Sequence, residues 1–191
     1  MLEERGVDAI IAQGTEAGGH RGTFTGVDIS LQPGLFALLP QVVDAVKVPV
    51  IAAGGVADGR TAAAAFVLGA SAVQVGTAFL RCEEANVLDA YRAALRDPTD
   101  ACTVVTDMIT GRPARYIKNK LIDDLLASDL KPVAFPAQLS LTAPLSNTGD
   151  RELTALWAGQ SAALAKDTAA GALVESLAEA TSECLRAFAG S

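Results

Sequence analysis

Val48 to Leu80 reads VPVIAAGGVADGRTAAAAFVLGASAVQVGTAFL, and the fold class turns on it. VPVIAAGG (48–55) is an unbroken apolar run closed by two glycines. GRTAAAAFVLGA (59–70) is rich in helix formers. AVQVGTAFL (72–80) is a second apolar run. Apolar runs without polar alternation suit strands covered on both faces, and alternation with helices makes them parallel β/α units. Upstream, DAIIAQ supplies a third short strand at about Ala9–Gln13, and residues 2–6 read as a helix end stopped by Gly6. A helix is expected from near Leu39, with Pro40 in its first turn and Val42, Val43 and Val46 on its apolar face.

The texture changes after residue 80. EEANVLDAYRAALRD reads as helix. ACTVVTDMITGRPARYIKNKLIDDLLAS is mixed, with a turn after Gly111 and a helix expected from about Pro113. DLKPVAFPAQLSLTAPLS (129–146) holds three prolines and reads as an irregular wrap. Two closing helices are expected, about 150–165 and 168–189. The first would carry Leu153, Leu156, Trp157, Gln160 and Leu164 on one face.

Composition narrows the function. The chain has 191 residues, half of them hydrophobic, with a net charge of −7. That bounds one ordinary domain, or part of a larger one, with a buried core. The acidic balance argues against nucleic acid or an anionic membrane as partner. No apolar run reaches the ~20 residues of a membrane span, and the N-terminus lacks a signal pattern. The expectation is a cytoplasmic protein. Three cysteines, Cys82, Cys102 and Cys184, sit at no metal spacing, and Cys82 and Cys102 read as small core residues. No metal is expected.

Ligands of parallel β/α folds bind at the carboxyl ends of the strands. Gln13–His20, Ala53–Asp58 and Gly76–Thr77 all end there, and all carry glycine. Gly54 and Gly55, just ahead of a helix start, offer backbone donors for a phosphate, and Gly76–Thr77 adds a second approach with a hydroxyl. Paired glycines equally serve turn geometry, but two such ends on consecutive strands favour a shared phosphate. His20, the sole histidine, lies in GTEAGGHRGTFTG (14–26). It is a candidate acid/base, since its unperturbed pKa is ~6.5; the competing reading is a loop histidine without a role. Glu16 reads rather as a solvated carboxylate than as an orienting group. Gln13 suits either a ligand or the loop backbone. Trp157 reads as packing, and Lys118 and Lys120 as solvated. No Ser or Cys nucleophile is paired with a base.

AQGTEAGGHRG, PVIAAGGVADGR, AVQVGTAFL, TGRPARYIKNK and LWAGQSAAL occur here in the order found in nitronate monooxygenases, formerly 2-nitropropane dioxygenases. The chain resembles the C-terminal part of that family over nearly its whole length. The resemblance implies a (β/α)8 barrel with an added helical segment and non-covalent FMN. It places Gly19 and Gln74 against the flavin, Gly54, Gly55, Gly76 and Thr77 at its phosphate, and His20 over the ring as the active-site histidine. The implied reaction oxidises an alkyl nitronate or nitroalkane with O2 to a carbonyl compound and nitrite.

Only three barrel strands are counted, matching the sixth, seventh and eighth. The fold class expected is therefore α/β, a partial (β/α)8 TIM barrel of the last three β/α units with a C-terminal helical extension. Residues 1–95 would form the barrel portion and 96–191 the extension. A truncated or split product is expected, with a complementary N-terminal half-barrel as possible partner. The alternatives are a flavin-dependent enoyl-acyl-carrier-protein reductase, which also needs a nicotinamide donor, and a non-catalytic half-barrel remnant.

Overall fold

The computed structural model describes residues 2–24, 26–96 and 102–190. Its first sheet is parallel, in the order β1 (Ile10–Gln13), β3 (Val50–Ala53), β4 (Ala72–Gln74). Ile10 pairs with Val50 and Gln13 with Ala53; Ala53 in turn pairs with Gln74. The three strands therefore end level, and their carboxyl ends share one edge. The crossovers run through α1 (Leu35–Ala45) and α2 (Gly59–Val67). Ala12, Leu39, Val50, Ala52, Ala62 and Ala65 form the core between these helices and the sheet. The alanines let the helices lie close, and Leu39, fully buried, contributes about 1.5–3 kcal/mol. Val42, Val43 and Val46 pack against this core, as their spacing predicts.

α1 begins at Leu35, earlier than expected, so Pro40 is an interior residue. Local sequence does not set this start. The Glu16 carboxylate reaches across from the preceding loop and accepts the Leu35 N–H at 2.8 and 3.0 Å. α2 forms where its helix formers lie, and Asp58 caps it, closing a capping box with Thr61. The strand expected over 72–80 stops at Gln74, and a 3-10 turn over Thr77–Arg81 follows. Gly76 leaves the extended region (φ −113°, ψ −70°) and ends the ladder.

A second sheet is antiparallel, in the order β2 (Gly19–His20), β6 (Ala114–Ile117), β5 (Thr103–Thr106). The helix expected from Pro113 is therefore a strand, while the turn at Gly111 is present with φ +79°. Cross-strand pairing of Val104 with Tyr116 and Thr103 with Ile117 overrides the local helix tendency. The helix instead starts at Asn119, whose side chain accepts the Ile122 N–H at 3.1 Å and caps α4 (Lys120–Ala127). α3 (Asp89–Arg96) forms only the later part of the segment expected as helix: residues 83–88 are a turn and irregular chain, and Asp97 lies outside the described residues.

Two further expectations fail. The proline-bearing wrap contains α5 (Ala137–Ser146), with Pro144 inside it. Thr142 and Gln138 anchor this helix through the Ile109 and Met108 carbonyls, both at 2.7 Å. Residues 150–165 are turns and an extended strap with only a 3-10 turn at Ala162–Leu164. There the Leu156 carbonyl is taken by Ile117 N–H (2.7 Å) rather than by a helical partner. α6 (Ala170–Ala189) closes the chain as expected and packs on α2, where Gly59 faces Ala180. Cys82 is buried as expected, but Cys102 is exposed. Lys118 and Lys120 are solvated and paired with Asp123 and Asp124.

Candidate active site

The carboxyl ends of β1, β3 and β4 open into a cleft of about 370 Å³, within the usual range for small-ligand sites. Gly19, Gly54, Gly55, Gln74, Gly76 and Thr77 all line it. Gly54 and Gly55 take φ +102° and +72°, a region closed to most side chains, and lead the chain from β3 into α2. Among the described residues, the N–H groups of Gly55, Val56, Gly76 and Thr77 have no protein acceptor. A Cβ added at Gly19 or at Gly76 would meet nothing within 4 Å. Free donors beside unfilled space form a cradle that fits a bulky phosphate-bearing ligand.

The opposite wall comes from the C-terminal segment. Trp157, Gly159 and Ser161 line the cleft, as does Tyr91 of α3. The Tyr91 hydroxyl donates to the Trp157 carbonyl, and burial pushes its pKa up. Trp157 also packs on Tyr116, with ring centroids 5.7 Å apart. It both packs, as expected, and faces the cleft.

The histidine loop is held from beneath by two buried arginines. Arg21 donates to the carbonyls of Ala17 and Gly14, each at 2.6 Å, and to Gln32 Oε1 at 2.8 Å. Arg115 of β6 donates to the Thr15 carbonyl at 3.0 and 2.8 Å. Burial, then the neighbouring Arg115, lowers the Arg21 pKa to about 10, against the pull of Glu16; the guanidinium remains charged near neutrality. Gln13 serves the loop backbone, accepting from Gly22 N–H (2.7 Å) and donating to the His20 carbonyl (3.1 Å). Glu16, expected in solvent, is the α1 cap. Both arginines lie in quoted family elements, AQGTEAGGHRG and TGRPARYIKNK, but nothing local to them marked them as anchors of the loop.

His20 is not among the cleft-lining residues, although Gly19 beside it is. Its Nε2 lies 2.9 Å from Thr110 Oγ1, and its ring meets Phe135 edge-on at 5.7 Å. Thr110 Oγ1 also donates to the Arg112 carbonyl at 2.9 Å. A hydroxyl has one proton. With that proton given to Arg112, Thr110 accepts from His20, so Nε2 carries the hydrogen and Nδ1 keeps the lone pair. Burial, and then the Arg112 cation, lowers the His20 pKa below 6.5. At neutral pH the ring is therefore an uncharged base, and no described residue bonds its Nδ1. Among the described residues no group of three or more acidic, cysteine or histidine side chains could hold a metal, and no helix is long and apolar enough to cross a membrane.

The model of the nitronate monooxygenase family matches residues 1–180. The chain belongs to this family. It is 42% identical over 189 residues to a probable nitronate monooxygenase of Staphylococcus saprophyticus, covering 96% of this chain and 53% of that protein. It is 43% identical over 180 residues to the corresponding protein of Staphylococcus aureus strain MSSA476, covering 92% and 51%. Among solved structures, nitroalkane oxidase from Streptomyces ansochromogenes superposes with TM-score 0.91 at 42% identity, over 98% of this chain and 55% of that one. FabK from Thermotoga maritima gives 0.81 at 33% identity, over 100% and 59%. The chain thus spans about half the length of the curated relatives it matches. The α/β fold is one it shares with this nitroalkane oxidase and with FabK.

Proposed function

We propose that this chain is the flavin-holding, base-bearing part of a nitronate monooxygenase, which oxidises alkyl nitronates or nitroalkanes with O2 to a carbonyl compound and nitrite. The observation that carries this reading is the cleft itself, where Gly19, Gly54, Gly55, Gln74, Gly76 and Thr77 converge. FMN would lie there, its phosphate against the amides of Gly55, Val56, Gly76 and Thr77, with Gly19 and Gln74 against the ring system. Bound FMN supplies the electron transfer between nitronate and oxygen. The protein supplies placement and the proton. Neutral His20 takes the α-proton of a nitroalkane on Nδ1, and the resulting imidazolium donates that N–H to a nitronate oxygen. Thr110 holds Nε2–H throughout. A preformed nitronate needs no proton removal, so its turnover does not call on His20 as a base.

The three parallel strands are read as the last three of a (β/α)8 barrel, residues 1–95, with residues 96–191 as the helical extension. In support, β1 and β4 are edge strands, Ile11 on β1 is 53% exposed, and the solved relatives are only about half covered. The remaining strands would come from a complementary N-terminal half-barrel, and the assembled enzyme would work in the cytoplasm. The reductase alternative is not adopted, because the family model and the curated relatives bear the oxygenase name. The test is flavin absorbance of the purified protein, then nitrite release on adding propionate 3-nitronate or nitroethane, with and without that half. Flavin retention and nitrite release, with His20→Ala losing nitroethane turnover far more than nitronate turnover, are expected. Nitroethane turnover unchanged in His20→Ala would remove the base role.

A further inference from the structure

We propose that the strap of residues 157–161 is a positioning element of the cleft: the Gly159 amide holds the Thr77 hydroxyl so that its single proton faces an anionic ligand at the ends of β3 and β4. This rests on the flavin reading above and assigns a role to a segment outside the barrel strands.

The Gly159 N–H donates to Thr77 Oγ1 at 2.9 Å. A hydroxyl has one proton and two lone pairs. With one lone pair occupied by Gly159, the proton points elsewhere, and no described residue accepts it. Thr77 lines the cleft, so the proton is left for a ligand there. Without the Gly159 amide, a threonine hydroxyl in a helical first turn has nearby backbone partners to choose instead.

The strap is fixed on all sides, which is why it can act as a reference. Ile117 N–H takes the Leu156 carbonyl at 2.7 Å, and Gln160 N–H donates to the Glu16 carbonyl at 2.9 Å. Leu156 and Ala158 are fully buried. Gly159 has no room for a side chain: a Cβ would fall 2.8 Å from Glu16 O, 3.2 Å from Gly18 N and 3.4 Å from Thr77 Oγ1. Alanine there would lift the strap from Thr77.

The test separates the phosphate from the ring. FMN and riboflavin share the ring system and differ by the phosphate. Titration of each, followed by quenching of Trp157, the sole tryptophan, gives the ratio of their dissociation constants. Thr77→Val and Gly159→Ala are each expected to cut the preference for FMN about 10-fold, the size of one hydrogen bond to a charged acceptor. The double variant should lose little more, and Thr77→Ser should keep the preference. Equal loss of FMN and riboflavin binding in Gly159→Ala overturns the proposal, since that is a merely structural role. Should Gly159→Ala fail to fold, amide exchange at Gly159 in the unaltered chain decides. FMN is expected to slow it more than riboflavin does, through the shared hydroxyl; equal slowing overturns the proposal. If neither flavin binds the unaltered chain, the flavin reading itself fails and the strap role falls with it.

Discussion

Replacing Thr110 by valine keeps the shape of a fully buried side chain and removes the hydroxyl between His20 and Arg112. In the native chain Thr110 Oγ1 sits 2.9 Å from His20 Nε2 and 2.9 Å from the Arg112 carbonyl. A hydrogen bond of this kind contributes about 0.5–1.5 kcal/mol, which biases the two neutral tautomers by about 2- to 13-fold toward Nε2–H. His20 is the only histidine, so its ring nitrogens can be read by long-range 15N–1H NMR without assignment by mutagenesis. The native chain should show a protonated Nε2 and an unprotonated Nδ1, with a titration midpoint below 6.5 set by burial and by Arg112. Thr110→Val should shift the tautomer ratio by that factor, and Thr110→Ser should restore it. The variant should also lose about 0.5–1.5 kcal/mol of stability through the lost bond to the Arg112 carbonyl. A native ring protonated mainly on Nδ1, or a ratio that does not move in Thr110→Val, would refute the proton assignment and with it the choice of Nδ1 as base.

Three other outcomes are expected. Glu16→Ala should cost about 1–2 kcal/mol in denaturant unfolding through loss of the α1 cap; a solvated loop carboxylate would cost nothing. Arg21→Met should destabilise by about 1–3 kcal/mol, because the Ala17 carbonyl loses its partner and the Gly14 carbonyl keeps only the Ala17 N–H, and the midpoint of urea unfolding measures it. Asp167, held down to about 2 by Arg81 and then Arg96, has a folded pKa below its unfolded value of 3.8. Its contribution is therefore full above that value and is lost as pH falls toward 2; stability of Asp167→Asn should be flatter with pH across that window, and an unchanged profile would count against the pairing.

The parallel β/α core was legible because its signals are local. Continuous apolar runs, the helix formers of 59–70 and the paired glycines each lie within a few residues of what they specify. The errors share one cause, which is partners distant in sequence. α1 starts at Leu35 because Glu16 reaches it from 19 residues away. Pro113 precedes a strand because β5 and the histidine loop flank β6 on both sides. Residues 150–165 stay extended because Ile117 and Glu16 take their backbone groups. A 3.6-residue pattern through Leu153, Leu156 and Trp157 carries no information about such competition.

The same distance explains why the site was only half readable. Its glycines are strand-end features and showed themselves. The groups that orient its protons lie far along the chain: Thr110 for His20, 90 residues away, and Gly159 for Thr77, 82 residues away. Both belong to the segment read as an extension packed on the barrel. Arg115 from that segment also holds the Thr15 carbonyl of the histidine loop. A barrel portion of residues 1–95 alone would keep the cradle glycines and His20 but lose the residues that fix Nε2–H and the Thr77 hydroxyl. Such a truncated piece should therefore bind flavin with little preference for FMN over riboflavin and show mixed His20 tautomers. A piece retaining both properties would show that the extension is packing alone.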